Sequence, residues 1–224
     1  MFNIIAPTYD TINKYMTLNS DKSWRKKVSN IVYKKNVKSI LDVATGTGDI
    51  AFEMAKDNVK IIAIDNANEM LEIAKEKSKD LNTDRIIDFQ LDDAENLTFS
   101  DNSFDAVTVG FGVRNFEDLK KGLSEMYRVL KPEGQIVILE TAVPRTIISK
   151  IGYFLHTNLL IPFLGLVIAK NSNAYKYLSK SAKNFPHGER FKEILNETGF
   201  CDVAIESETF GVVNIYSANK LINN

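Results

Sequence analysis

Two short stretches of this chain carry side chains that could do chemistry. The first is LDVATGTGDIA, residues 41–51. Asp42 closes an apolar run, Gly46 and Gly48 bracket Thr47, and Asp49 follows. Glycine there permits positive φ and lets a ligand come close to the backbone. The pattern is not G-x-G-x-x-G, because Ala51 stands at the third glycine position, and the loop lacks a P-loop lysine. The two carboxylates disfavour a pyrophosphate and suit a cationic ligand. S-adenosylmethionine carries an ammonium and a sulfonium, so it fits where a nicotinamide dinucleotide fits poorly. Asp49 is then placed to neutralise the ammonium. The second stretch is VTVGFGVRN, residues 107–115, in which an apolar run ends in Gly110 and Gly112 and is followed at once by Arg114 and Asn115. The glycines would leave room for a flat ring against the backbone.

The elements that must position these residues follow from the hydrophobic pattern. KSILDVA (38–44), VKIIAID (59–65), RIIDFQL (85–91), FDAVTVGF (104–111) and QIVILET (135–141) read as buried strands. Between them lie helix-like stretches at 48–57, 68–81 and 116–130, the last with Asn115 as N-cap and Asp118 in the capping-box position, before a KPEG turn. Alternating strands and helices predict a parallel, doubly wound sheet with helices on both faces. After a helix at 188–199, strands at 200–207 and 211–220 are only three residues apart. That gap is too short for a parallel crossover, so they must form an antiparallel hairpin. A parallel sheet ending in such a hairpin is the organisation of a Rossmann-like methyltransferase.

This arrangement brings further residues to one edge of the sheet. Asp65 ends the second strand, where a carboxylate accepts from ribose hydroxyls. Asp93 and Ala94, in LDDAENLTF, stand where an adenine would dock. Each signal alone is weak, since an Asp at a strand end is often only a helix cap. Three successive strand ends on one edge make a strong one.

Composition removes other classes. The chain has 224 residues, 44% of them hydrophobic, and a net charge of −1, enough for one domain with a full core. No basic excess points to nucleic acid. The lone Cys201 excludes an internal disulfide and leaves a thiol metal cluster unsupported, so no metal site is expected. No secretory signal is recognisable, and a cytoplasmic protein is the simplest expectation. The apolar segment 147–169 is interrupted by Lys150, His156, Asn158 and Pro162, so an interfacial or buried insert is expected rather than a span.

LDVATGTGD, DDAENLTF, FGVRN and MYRVLKPEG, together with APTYDTIN, YKYLSKSAKNFP and the GVV of the final hairpin, resemble the menaquinone/ubiquinone C-methyltransferase family. GFGVRN and YLSKSAKNFP are the more specific of these. The resemblance implies a class I methyltransferase fold with a mostly parallel seven-stranded sheet, as one domain over 1–224 with an N-terminal lid over 1–30 and a substrate-side insert over 145–187. It implies methylation of a ring carbon of a prenylated demethylquinol, most simply demethylmenaquinol, with S-adenosyl-L-homocysteine as the other product. The family's cofactor residues fall on Gly46, Thr47, Asp65, Asp93 and Ala94, to which the loop adds Asp42 and Gly48. Tyr9 would lie over the cofactor. Many relatives carry Asn at the position of Asp93, and some carry Ser at that of Gly110.

A neutral quinol carbon is a poor nucleophile, and loss of the ring hydroxyl proton pushes electron density to the ortho carbon. Arg114 is too weak an acid to serve as a base but can hold the developing phenolate oxygen, and Asn115 could add a donor. The plainer alternative is that Arg114 pairs with a strand-end carboxylate and Asn115 caps its helix. The base is left open among His156, His187 and an oriented water. Trp24 and Tyr153 read as core residues, Tyr153 also as a lining residue of a quinol pocket. The insert would meet the inner face of the membrane as a peripheral contact and accept the prenyl tail. Naphthoquinol against benzoquinol, and a homo-oligomer against a monomer, stay open. The rival readings are a methyltransferase for another small aromatic acceptor and a non-catalytic adenosyl-ligand-binding module.

Overall fold

The computed structural model describes residues 2–144, 177 and 180–222. Among these, seven strands form one sheet: β1 (Ser39–Val43), β2 (Lys60–Asp65), β3 (Ile87–Leu91), β4 (Phe104–Gly110), β5 (Leu130–Thr141), β6 (Phe200–Glu208) and β7 (Val213–Lys220). The order is β3-β2-β1-β4-β5-β7-β6. β1 to β5 run parallel, and β7 lies antiparallel between β5 and β6. The sheet and its closing hairpin are those expected from the chain.

Helices cover both faces, and residue alternation along each strand assigns the two cores. Leu41, Val43, Val107 and Val109 face α5 (Leu119–Val129) and α6 (Glu189–Thr198), meeting Leu123, Met126 and Phe191. Ile40, Ala106 and Val137 face α2 (Ser20–Val32), α3 (Asp49–Met54) and α4 (Asn68–Asp80), meeting Trp24, Val28, Ile50 and Ala74. Burial on both faces is why the central strands read as unbroken apolar runs. α1 (Phe2–Thr17) stands apart from both cores. Its Ile5, Ala6 and Ile12 form a small cluster with Ala67 and Met70. It joins α2 through Leu18 and Asn19, both at positive φ.

Three local expectations are corrected. The helix expected from residue 116 begins at Leu119, and its cap is Asp118, whose carboxylate accepts from Lys121 N at 3.1 Å. Asn115 instead ends a short 3-10 turn, Val113–Asn115, and its amide donates to the Phe111 carbonyl. KPEG bulges out within β5: Leu130 pairs with Phe104 but Gln135 with Ala106, and Glu133 has φ 60°. The first helix after the glycine loop stops at Met54. Among the described residues no helix is long and apolar enough to cross a membrane, and no group of side chains could hold a metal.

Candidate active site at the strand ends

After β1 the next strands add on one side, while β4 adds on the other. Such a reversal opens a crevice beyond the carboxyl ends of the strands. Here that crevice is a cavity of about 700 Å³, reached by the segments after β1, β2, β3 and β4 and by Phe2, Asn3 and Tyr9 of α1.

The loop after β1 turns back through Ala44, Gly46 and Gly48, at φ 52°, 57° and 87°. A side chain at Gly46 would meet nothing within 4 Å, so a ligand can reach that backbone. Gly48 is tight instead, because a Cβ there would lie 2.8 Å from the Phe52 ring. Asp65 fastens the loop. Its carboxylate accepts from Gly46 N and Ala67 N, each at 2.8 Å. Burial pushes the Asp65 carboxyl up, and those two amides pull it back.

Of the expected cofactor residues, Gly46, Asp65, Asp93, Ala94 and Tyr9 line the cavity. Asp42, at the end of β1, and Thr47 and Gly48, in the loop itself, are not among the lining residues. Asp42 is 1% exposed and accepts from the Thr45 and Thr108 hydroxyls, each at 2.6 Å. The Thr47 hydroxyl donates to Asp10 at 2.6 Å, tying the loop to α1. Burial pushes the Tyr9 phenol up, while a hydrogen bond with Asn13 and the Arg114 charge pull it down.

The expectation for Asp49 changes. It is held by Arg25 at 2.9 Å and Lys77 at 2.6 Å, so protein cations already neutralise it. The negative character of the cavity comes from Asp65, Asp92, Asp93, Glu95 and Glu117. No Lys or Arg is among the described lining residues. This charge balance and the open backbone at Gly46 fit a cationic adenosyl ligand and not a pyrophosphate.

On the β4 side, Gly110, Phe111, Gly112 and Asn115 form the wall. The two glycines clear space for the protein itself rather than for a ring. A Cβ on Gly110 would lie 2.2 Å from Ile50 Cδ1, and one on Gly112 2.6 Å from Ala44 Cβ. Arg114 is not among the lining residues. It forms an ion pair with Glu140 at 2.5 Å, their side chains 9% and 0% exposed. Glu140 was missed in the sequence, although a lone carboxylate at the end of QIVILET was the signal for it. Also missed were Asn3, Met70, Phe116 and Glu117, whose places depend on how helices and turns dock. Glu95 accepts from Glu117 N at 2.6 Å and Asp118 N at 3.2 Å, joining the loop after β3 to the segment after β4. Trp24 is core, as expected. Its indole donates to Thr209, and its ring meets Phe111 edge-on at 6.1 Å behind the wall. His187 is half-buried and does not line the cavity. His156 and Tyr153 lie outside the described residues.

A profile of the ubiE/COQ5 methyltransferase family matches residues 1–220. The chain is 42% identical over 222 residues to a demethylmenaquinone methyltransferase of Bacteroides fragilis, covering 98% of this chain and 91% of that one. It is 41% identical over 224 residues to the ubiquinone/menaquinone biosynthesis C-methyltransferase UbiE of Geotalea daltonii, covering 98% and 94%. The fold resembles that of an S-adenosyl-L-methionine-dependent methyltransferase of Thermotoga maritima, with a TM-score of 0.68, 18% identity, and 98% of this chain and 99% of that one covered.

Proposed function

Because this chain belongs to the ubiE/COQ5 methyltransferase family, we propose that it transfers a methyl group from S-adenosyl-L-methionine to a ring carbon of demethylmenaquinol. Near-full-length likeness to relatives named for that reaction carries the reading. The acidic, open-floored cavity supports it physically. When bound, S-adenosylmethionine supplies a methyl group on a positively charged sulfur. The backbone at Gly46 and the carboxylate of Asp65 would hold its ribose and amino-acid portions. Asp93 and Ala94 would receive the adenine, and Tyr9 would cover the site from α1. The pairing of Arg114 with Glu140 meets the plainer reading of that residue, yet it uses only part of the guanidinium. Arg114 would hold the acceptor's ring oxygen with the remainder, stabilising the negative charge that develops there.

The N-terminal residues 1–30 would act as a lid, and the insert over 145–187 would take the prenyl tail at the inner face of the membrane. The test is direct. The protein is incubated with methyl-labelled S-adenosylmethionine and lipid extracts from quinone-deficient cells, reduced beforehand. Label in a naphthoquinol is the expected outcome. Label in another aromatic compound alone would replace the proposed acceptor, and cofactor binding with no transfer would favour a non-catalytic module.

A further inference from the structure

Glu140 has two oxygens in unlike surroundings. Oε1 accepts from Arg114 Nη1 at 2.5 Å, from Thr141 N at 2.6 Å and from the Thr141 hydroxyl at 3.0 Å. Oε2 is buried with no hydrogen-bond partner, and the same is true of Arg114 Nε and Asn115 Oδ1. The orientation of the Asn115 amide is set by its Nδ2, which donates to the Phe111 carbonyl at 3.2 Å. Reversing it would bring two oxygens together. One bare donor and one bare acceptor therefore belong to a single ion pair, and Asn115, whose Oδ1 is also bare, follows Arg114 in the chain and forms the cavity wall with Gly110, Phe111 and Gly112. Folded proteins leave few buried polar atoms unpaired, and a cluster of them calls for an explanation. A ligand group that pairs with Arg114 Nε and Glu140 Oε2 is the direct one.

The pattern specifies that group. A hydroxyl both donates and accepts, whereas a carbonyl only accepts. Resting on the function proposed above, we infer that Glu140 is a catalytic residue, whose Oε2 receives first the hydrogen bond and then the proton of the acceptor's ring hydroxyl while Arg114 Nε donates to the same oxygen. A phenol is a far weaker acid than a carboxylic acid, so it does not yield its proton to a carboxylate before reaction begins. The transfer is therefore coupled to carbon–carbon bond formation. As the oxygen lone pair moves into the ring, the ortho carbon bonds to the methyl carbon, whose former bonding pair stays on sulfur. The ring oxygen becomes that of a protonated ketone, a far stronger acid. Its O–H pair stays on oxygen as the proton passes to Oε2. The methylated carbon then loses its hydrogen as a proton to water, and that pair restores the aromatic ring. Glu140 returns its proton to the oxygen. One proton is released per methyl group transferred, and the carboxylate is regenerated.

The same pattern rejects the oxidised ring. A quinone carbonyl would satisfy Arg114 Nε but set its lone pairs against Oε2. The experiment measures binding of a short-chain prenylated 1,4-naphthoquinol and the matching naphthoquinone, under anaerobic conditions, to protein loaded with S-adenosylhomocysteine. Wild type should favour the quinol by about tenfold or more, the scale of leaving a charged acceptor unpaired. Glu140→Gln, whose amide can donate to a carbonyl, should lose or reverse that preference. It should keep its affinity for S-adenosylhomocysteine and turn over slower by about 10²–10⁴, the scale of a lost proton acceptor. A purely structural Glu140 would not move the quinol-to-quinone ratio. Equal affinity of wild type for the two oxidation states overturns the inference with no variant needed. So does a folded Glu140→Gln protein with wild-type ratio and turnover. Failure of the proposed function reads differently: wild type then methylates no prenylated quinol, whatever the binding ratio.

Discussion

Asp42 accepts two hydroxyl hydrogen bonds, yet burial still pushes its carboxyl up to about 6. In the unfolded chain it titrates at about 3.9, the model-peptide value. Folding therefore favours its protonated form. The associated stability is fully present below about pH 4 and lost as pH rises through about 6, an effect of about 3 kcal/mol. Asp42→Asn has no such titration. Urea unfolding across this range should show the variant gaining on wild type by roughly that amount, and parallel curves would show that Asp42 does not titrate there. Arg114 makes a second residue-level case. Arg114→Ala leaves Glu140 buried without its cation and should cost about 3–5 kcal/mol, seen as a lower Tm. Arg114→Lys restores charge, so most of that stability should return. A lysine cannot serve both Glu140 and an acceptor oxygen with one planar fork. Its kcat should stay about 10²–10³ below wild type. A lysine variant with normal turnover would leave Arg114 as a structural cation only.

α1 is held by a small apolar cluster and by polar ties. It carries Pro7 in its interior, which removes one helix hydrogen bond, and its apolar contacts form a cluster separate from both main cores. Asp10 links it to the glycine loop through Thr47 and to α4 through Lys77 at 3.0 Å. Lys77 continues to Asp49, Arg25 and Asp21. Exposed ion pairs contribute little singly, but the Asp10–Thr47 bond joins α1 directly to a loop at the cavity floor. Asp10→Ala should raise hydrogen exchange across Phe2–Thr17 while leaving α5 as in wild type, and it should weaken S-adenosylmethionine binding. Unchanged exchange in α1 would show that Ile5, Ala6 and Ile12 alone hold the helix, and that Asp10 does not govern the proposed lid.

At the scale of the molecule, the cavity lies at one edge of the sheet, and the apolar segment 147–169, which follows β5 in the chain, is outside the described residues. Its composition is too interrupted to span a bilayer but suits the headgroup boundary. The protein should sediment in part with vesicles. Replacing Phe163, Leu164 and Leu166 with Ser should reduce that fraction and raise KM more for a long-tailed quinol than for a short-tailed one. Equal changes for the two acceptors would make this stretch ordinary core.

Strand and helix periodicity, the short gap before β7 and the carboxylates at successive strand ends were all local in the chain. Local signals of this kind carry the sheet, the site edge and the lining residues Gly46, Asp65, Asp93 and Ala94, because burial on two faces and positive φ act directly on residue type. What Asp49, Gly110 and Gly112 do was not legible. Asp49 meets Arg25 and Lys77 only when three helices assemble, and the space before the glycines is claimed by Ile50 and Ala44 from across the sheet edge. Asn115 and Asp118 both suit a helix cap, and the hydrogen bond from Asn115 to Phe111 decides between them. Glu140 depended most on tertiary structure. In sequence it is one acid after an apolar strand. Its pairing with Arg114, 26 residues away in the chain, and its one bare oxygen exist only once β4 and β5 lie side by side.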